Sequence, residues 1–248
     1  MKNTVNVYWA PFVSGENPDW NMLYSDPENI FDNLKKQSNH VLKLDSFLAC
    51  PAVSDKLKKV FVLKNTLDST FNFDEFQNIT SLNKDSSYVN LYKIRKPTLK
   101  NTNTLVYKMQ WIFFADEPVV ADFTSPYFHK PKYLNYGSVI PGKMDIGKWF
   151  RPYNAEIITW EKDGLISFEE NEPLAYVSFN TDKNIKLIRF NMNEKLMKYA
   201  ESCMNSPSNY GRNLPLIKRY ERFKNSRMNE IILKEIKNNA LEGQNEKN

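Results

Sequence analysis

The amino-acid sequence predicts a mainly β protein, an antiparallel sandwich or jelly-roll-like fold with peripheral helices and an amphipathic C-terminal helix. Its 248 residues are 41% hydrophobic, 14% aromatic and 25% charged, a composition that excludes collagen-like, coiled-coil and wholly disordered chains. Between residues 88 and 190, short segments rich in aromatic and β-branched residues recur at regular spacing. Turn residues such as Lys162-Asp163-Gly164 separate these segments, which is typical of antiparallel all-β folds.

Strands and short helices alternate in the first part of the chain. Apolar alternation predicts a strand at residues 5–9. Asp26 as N-cap and Pro27 at the first helical position predict a helix, which carries an apolar stripe of Ile30, Phe31 and Leu34. Further strands are predicted at residues 46–50, 60–64 and 70–74, with a helical turn at 54–59.

The middle of the chain is predicted to be β and its end helical. The longest predicted strand is 105–114, and shorter ones follow at 119–123, 155–160, 165–168, 174–179 and 185–190. Asn193 caps a predicted helix at 194–203, and an amphipathic helix runs from about residue 216 to 240. Its apolar stripe shifts near residues 225–226, which predicts a bend or two helices that pack different faces. We expect residues 1–240 to form a single β-rich domain with helical N-terminal and C-terminal additions, and residues 241–248 to form a disordered tail.

Charge and cysteine content limit the class of partner and the compartment. The formal net charge is +5, of which residues 212–248 contribute +4, so the body of the protein is nearly neutral. Cys50 and Cys203 belong to no metal-binding or redox spacing, which predicts two reduced, buried thiols. The sequence contains no apolar run of the ~18 residues that a membrane span needs, and its N-terminus has no run of signal-peptide length. These features predict a protein of the cytosol with no membrane segment.

One segment matches a nucleotide-binding motif in spacing only. Gly137 to Lys143 reads GxxxxGK, but Met144 stands where the magnesium-binding hydroxyl is required. Pro141 removes one of the N–H donors that would hold the phosphates. We therefore interpret this segment as a loop that joins strands.

Metal and catalytic motifs are weak. The two histidines, His40 and His129, have no ligand partner at metal-binding spacing, and no cofactor is predicted. The chain contains no GxSxG nucleophile elbow. Carboxylates cluster at Asp116, Glu117 and Asp122 and again at Glu169, Glu170 and Glu172. Acidic residues beside turns are usually solvated, and an acid–base role is the less favoured interpretation.

Two surfaces are candidates for binding. The first is a ligand pocket near the segment Gly147 to Pro152, for which a structural corner leading into the strand at Ala155 is the favoured interpretation. Its candidate residues are His129, Trp149, Arg151, Asp116 and Asp122. The second is a basic surface of Lys218, Arg219 and Arg222, which can contact nucleic-acid phosphates or be the solvated face of an amphipathic helix; the latter is favoured.

Three segments carry a resemblance to known sequences: Cys50-Pro51-Ala52 leading into Val60-Phe61-Val62, Gly142 with residues 145–152, and residues 172–177. They resemble an uncharacterised protein family of tailed phages, notably those of marine cyanobacteria, with distant bacterial relatives. The resemblance spans about residues 45 to 235 and implies a phage-encoded product without assigning a catalytic residue. A bias towards residues with A+T-rich codons, 30 Asn and 27 Lys against 7 Arg, agrees with it.

The expected function is that of a phage-encoded, non-catalytic binding or structural protein. It would act through a protein partner, self-association or a small ligand held between the sheets, in the cytoplasm of the infected host cell or in the virion. One alternative is an enzyme on a cupin-like or other β-sandwich scaffold with a pocket near His129. A second is nucleic-acid contact through the basic C-terminal helix.

Overall fold

A computed structural model describes residues 3–12, 18–37, 46–82, 90–95, 99–204 and 227–241, together with residues 215, 218, 221 and 223. Strands β1 to β8 are Thr4–Phe12, Glu28–Asn29, Val60–Lys64, Ser69–Phe73, Ile79–Ser81, Tyr92–Arg95, Thr104–Tyr107 and Gln110–Ala115. Strands β9 to β16 are Val120–Thr124, Gly137–Val139, Gly142–Asp145, Pro152–Tyr153, Glu156–Thr159, Gly164–Phe168, Pro173–Asn180 and Asn184–Arg189. Helices α1 to α4 are Ile30–Gln37, Pro51–Leu57, Glu194–Met204 and Met228–Asn238. Short 3₁₀ turns occupy Pro18–Leu23, Phe47–Ala49 and Lys132–Asn135.

The strands form four sheets. Sheet A has the order β12-β8-β1-β16, sheet B the order β11-β9-β15-β3-β2, sheet C the order β14-β4-β5 and sheet D the order β10-β13-β7-β6. Every strand pair is antiparallel except β1 with β16, which runs parallel. The predicted mainly β fold with peripheral helices is confirmed.

Sheets A and B pack face to face around the main core. Phe113 of β8 contacts Phe123 of β9 and Phe179 of β15, with ring centroids 6.1 and 5.8 Å apart. Alternate residues of β1 divide between two cores: Val7 and Trp9 enter the main core, and Tyr8 and Ala10 enter a second core beneath the C-terminal helices. Sheet A is therefore covered on both faces.

The outer face of sheet B carries a third, smaller core beneath α1 and α2, which includes Ile30, Leu57 and Tyr176. The predicted helix start at Pro27 was wrong, because Glu28–Asn29 pairs with β3 as a strand. Asn29 caps α1 instead, and its Oδ1 accepts the backbone N–H of Phe31 at 3.0 Å.

Two other strand predictions differ from the structure. Residues 46–50 contain a 3₁₀ turn, which Ser46 caps through a 3.3 Å bond from the N–H of Leu48 to its Oγ. The single strand predicted at 105–114 is two strands, because β7 belongs to sheet D and β8 to sheet A. Between them, the N–H of Lys108 donates to Leu91 O at 2.8 Å. The chain thus passes from one sheet to the other while remaining hydrogen-bonded.

The structure describes only part of the predicted C-terminal helix. Lys218 is helical and exposed, whereas Arg219 and Arg222 of the basic surface lie outside the described residues. Residues 242–248 of the predicted tail lie outside them as well. No helix in the described ranges is both long and apolar enough to cross a membrane.

Candidate functional site at the edge of the sandwich

The candidate site is a cleft at one open edge of the sandwich. β11 is the last strand of sheet B and β12 the last strand of sheet A, and residues 146–151 join them. The cleft, here called the edge cleft, has a volume of about 320 Å³. Its walls are Phe123, Gly142, Lys143, Met144, Trp149, Arg151, Pro152, Tyr153, Asn154 and Glu156.

A tight turn after β11 places the connecting segment. Asp145 Oδ1 accepts the N–H of Gly147 at 3.2 Å, and the Asp145 carbonyl accepts the N–H of Trp149 at 3.0 Å. Lys148 forms an ion pair with the same carboxylate. Asp145 thus accepts hydrogen bonds from two backbone N–H groups of the turn and fixes the direction in which the chain continues at Trp149.

Beyond the turn, the side chains alternate between the second core and the cleft. Phe150 is fully buried in the second core, where its ring meets Phe114 edge-on at 5.4 Å. Its neighbours Trp149 and Arg151 line the edge cleft, as does Tyr153 two residues later. The segment thus forms a corner that is anchored in the second core by Phe150, while Trp149 and Arg151 on either side of it line the cleft.

The helical layer braces the segment from behind. Asn229 of α4 donates from Nδ2 to the Gly147 carbonyl at 3.0 Å. Cys203 of α3 is fully buried, and burial raises the pKa of its thiol to about 11 despite a hydrogen bond with the Phe150 backbone and the nearby Arg151 charge. The thiol is therefore protonated at neutral pH and acts as a packing group. The prediction of two buried thiols is wrong for Cys50, which is exposed at the N-cap of α2.

Positive charge exceeds negative charge around the edge cleft. Burial lowers the pKa of Arg151, while Cys203 and Glu156 oppose that shift. Glu156 forms an ion pair with Arg95 of β6 at 2.8 Å, so an arginine already balances the charge of this carboxylate. Lys143 is exposed on β11, at the rim of the cleft.

Two oxygen atoms at the cleft have no hydrogen-bond partner within the described part of the chain. They are Tyr153 Oη and Asn154 Oδ1, and both are buried. The Tyr153 ring stacks on Phe123 at 3.7 Å with an interplanar angle of 7°, and burial raises the pKa of its phenol. A buried polar oxygen without a partner costs about 1–3 kcal/mol, so a group that reaches either atom recovers part of that cost.

The structure distributes the five predicted pocket residues over several places. Trp149 and Arg151 lie together in the edge cleft. Asp122 lines a neighbouring cleft of about 450 Å³, here called the outer cleft, which shares Lys143 with the first. Asp116 lies apart from both and binds the backbone N–H of Asn6 at 3.2 Å and its side-chain amide at 2.8 Å.

His129 lines neither of these two clefts. Its Nδ1 forms a hydrogen bond with Tyr176 Oη, and its Nε2 lies 3.4 Å from Asn33 Oδ1. It therefore ties the loop after β9 to β15 and α1. Burial lowers the pKa of His129, while the charge of Glu28 opposes the shift.

The second predicted carboxylate cluster lies at the turn between β14 and β15. Lys132 forms an ion pair with Glu169, which lowers the pKa of that carboxyl. Burial raises the pKa of Glu172, whose Oε2 accepts the N–H of Lys132 at 3.2 Å. Within the described ranges, no group of three or more His, Cys, Asp and Glu side chains is placed to hold a metal ion.

Sequence reasoning did not select Tyr153, Asn154 or Glu156 as site residues. A usable signal was the two-residue spacing of Trp149, Arg151 and Tyr153, which places three amphipathic side chains on one face of an extended segment. Lys143 was considered only as part of the rejected phosphate-binding motif. Its place beside the cleft follows from the edge position of β11, which no local pattern specifies.

Comparison with known proteins assigns no family. No protein-family model matches the chain. The curated proteins and the solved structures likewise contain no significant match.

Proposed function

We propose that this protein is a non-catalytic binding protein that holds a small molecule in the edge cleft. One observation carries the proposal. Tyr153 and Asn154, whose buried Oη and Oδ1 atoms have no hydrogen-bond partner among the described residues, line an aromatic-walled cleft together with Arg151, which is half-buried. Small-molecule sites combine apolar walls with a few convergent polar groups in this way.

The size and the chemistry of the cleft support binding over catalysis. Its volume of about 320 Å³ lies at the lower end of the ~300–1,000 Å³ typical of ligand pockets. Among the described residues, its walls contain no serine, cysteine or histidine that could act as a nucleophile or a general base near neutral pH. Its one carboxylate, Glu156, is engaged by Arg95.

The phage origin belongs to the same proposal. It is supported by the sequence resemblance and by the Asn and Lys content. The proposed location in the infected host cell or the virion depends on this origin. A protein partner or self-association is compatible with the edge cleft, because a small ligand there leaves the other sheet edges accessible.

The test is a fragment screen followed by amide NMR on the full chain. We expect binding fragments to shift the amide resonances of Gly142 and Asn154, while Gly164 in sheet C stays unchanged. Trp149→Ala should weaken binding about tenfold or more, because an aromatic wall typically contributes one to several kcal/mol.

Trp160→Ala is the matched control, since Trp160 is 51% exposed and does not line the edge cleft. This variant should bind fragments like the wild type. Fragments that shift only resonances far from Gly142 and Asn154, or a screen with no binder at all, would refute a small-molecule site here.

A further inference from the structure

We infer that the outer cleft is a second binding site and that its ligand is a neutral carbohydrate. The outer cleft lies on the outer face of sheet B, and its ligand is independent of the one proposed for the edge cleft, although Gly142 and Lys143 line both. Exposed aromatic rings beside the cleft, polar side chains across its floor and charges of both signs together point to this class of ligand.

Three neighbouring aromatic side chains beside the outer cleft are unusually exposed. Phe47, Tyr127 and Phe128 are 51%, 51% and 39% exposed. Phe47 stacks on Phe128 with ring centroids 5.6 Å apart, and Phe128 meets Tyr127 at 5.1 Å. Contiguous exposed apolar surface typically marks a binding site, and here it adjoins a cleft that Tyr127 itself lines.

The ring of Tyr127 is held in place from behind. It meets the buried ring of Tyr176 edge-on at 4.8 Å, and Tyr176 Oη accepts the N–H of Phe128 at 3.4 Å. A ring held in this way loses little conformational freedom when a ligand binds. Because the face of an aromatic ring carries partial negative charge, it attracts the polarised C–H groups on the apolar face of a sugar ring.

A row of polar side chains crosses three neighbouring strands at the floor of the cleft. Lys143 of β11 lies opposite Asp122 of β9, which lies opposite Ser178 of β15. Directly opposite residues of antiparallel strands point to the same face of a sheet, so the three side chains lie side by side. Among the described residues, no hydrogen bond or ion pair engages these three side chains. Their donors and acceptors are therefore available to a ligand.

The charges of this row favour a neutral ligand. An anion that contacts Lys143 also meets the Asp122 carboxylate, and a cation at Asp122 also meets Lys143. The further cation of the cleft, Lys56 of α2, is exposed to water, which screens its charge. A sugar hydroxyl both donates and accepts, so neighbouring hydroxyls can bind the ammonium, the carboxylate and the Ser178 hydroxyl in turn.

A glycan array of neutral and acidic oligosaccharides, probed with the full chain, tests the inference. We expect the protein to be retained on neutral glycans, and the neutral oligosaccharide that retains it best becomes the probe in an NMR titration. This probe should shift the amide resonances of Asp122, Lys143 and Ser178 and leave that of Gly164 in sheet C unchanged. Added salt should hardly change its affinity, because the probe carries no charge.

Three variants and one control assign the binding to the outer cleft. Tyr127→Ala should weaken binding of the probe about tenfold or more, whereas Tyr127→Phe, which keeps the ring, should stay within about threefold of the wild type. Asp122→Ala removes a charged acceptor and should weaken binding about tenfold, which keeps the test decisive if Tyr127→Ala does not fold. The control Trp160→Ala removes an aromatic side chain that is as exposed as Tyr127 but lies outside the outer cleft, and should have no effect.

Three outcomes would overturn the inference. The first is an array on which no neutral glycan retains the protein. The second is tighter binding of an acidic glycan or of a single-stranded oligothymidine at the same amides, since nucleobases also stack on exposed aromatic rings. The third is wild-type affinity in both Tyr127→Ala and Asp122→Ala. Fragments that bind beside Trp149, which lines the edge cleft and not the outer cleft, test the proposed function separately.

Discussion

Gly147 and Gly142 stand on either side of Asp145, yet their surroundings differ sharply. A Cβ at Gly147 would lie 2.5 Å from Glu117 O and 2.7 Å from Pro118 Cα, both of which are backbone atoms. A Cβ at Gly142 meets nothing within 4 Å. We expect Gly147→Ala to lower the free energy of unfolding by about 1–3 kcal/mol, because the backbone must move to admit the methyl group.

Gly142→Ala is the matched control and should change the free energy of unfolding by less than about 0.5 kcal/mol. Urea denaturation of both variants measures the difference. Equal losses in the two variants would contradict the close approach of the turn to Glu117 and Pro118.

His129 gives the protein a stability that depends on pH. Burial, together with the charge of Lys64, lowers its pKa from the ordinary value of 6.5, so the folded state favours the neutral ring. Glu28 is the opposing charge and is itself paired with Lys64 at 3.1 Å. A group whose pKa is lower when folded supports the fold above its unfolded pKa and loses that support as the pH falls through its folded pKa.

We therefore expect the wild type to lose more unfolding free energy than His129→Gln between about pH 7.5 and about pH 5. Glutamine cannot take up the proton, so the variant retains only the pH dependence of the other groups. Urea titrations at both pH values give the comparison, and parallel losses in the two proteins would rule out a contribution from His129.

At the residue scale, the local sequence could identify candidate side chains for the site but not the residues that they contact in the fold. Trp149 and Arg151 were selected because exposed aromatics and arginines usually have a role, and both line the edge cleft. His129 was selected because it lies in an aromatic and proline-rich loop at residues 126–131. Its main contact, Tyr176, lies 47 residues further along the sequence, and no local pattern reports that contact.

At the element scale, periodicity predicted most strands because burial imposes it. In β4, Phe71 and Phe73 are buried, whereas Asn72 between them is exposed. The strand at 105–114 was predicted too long because Met109, which is fully buried, continues the alternating apolar pattern between Tyr107 and Trp111. The break depends on a change of partner strand, which only the folded chain determines.

The start of α1 shows local signals in competition. Asp26 and Pro27 form a favourable helix start, and so does Asn29. The pairing of Glu28 with Val62 and of Asn29 with Phe61 decides between them, because it holds Glu28–Asn29 extended. The parallel pairing of β1 with β16 is equally non-local, since it joins segments about 180 residues apart.

At the scale of the whole molecule, two cores share the same strands. β1 and β8 direct alternate side chains to the main core and to the second core, which also contains residues of α3 and α4. If the helical layer left sheet A, the outer face of these strands, including Tyr8 and Phe114, would be exposed together with Phe150 of the connecting segment. We therefore expect the helices and the sandwich to unfold together.

The prediction compares one fully buried isoleucine from each core, Ile232 of α4 and Ile157 of β13. Each substitution by alanine should destabilise the protein by about 2–5 kcal/mol. In both variants, far-UV circular dichroism and tryptophan fluorescence should follow one coincident transition, as in the wild type. If Ile232→Ala instead lost helical signal in a separate, earlier step, the C-terminal helices would be an independent unit, and the predicted single domain would have to be divided. The edge cleft would then depend on a detachable layer, because Asn229 and Cys203 brace its connecting segment.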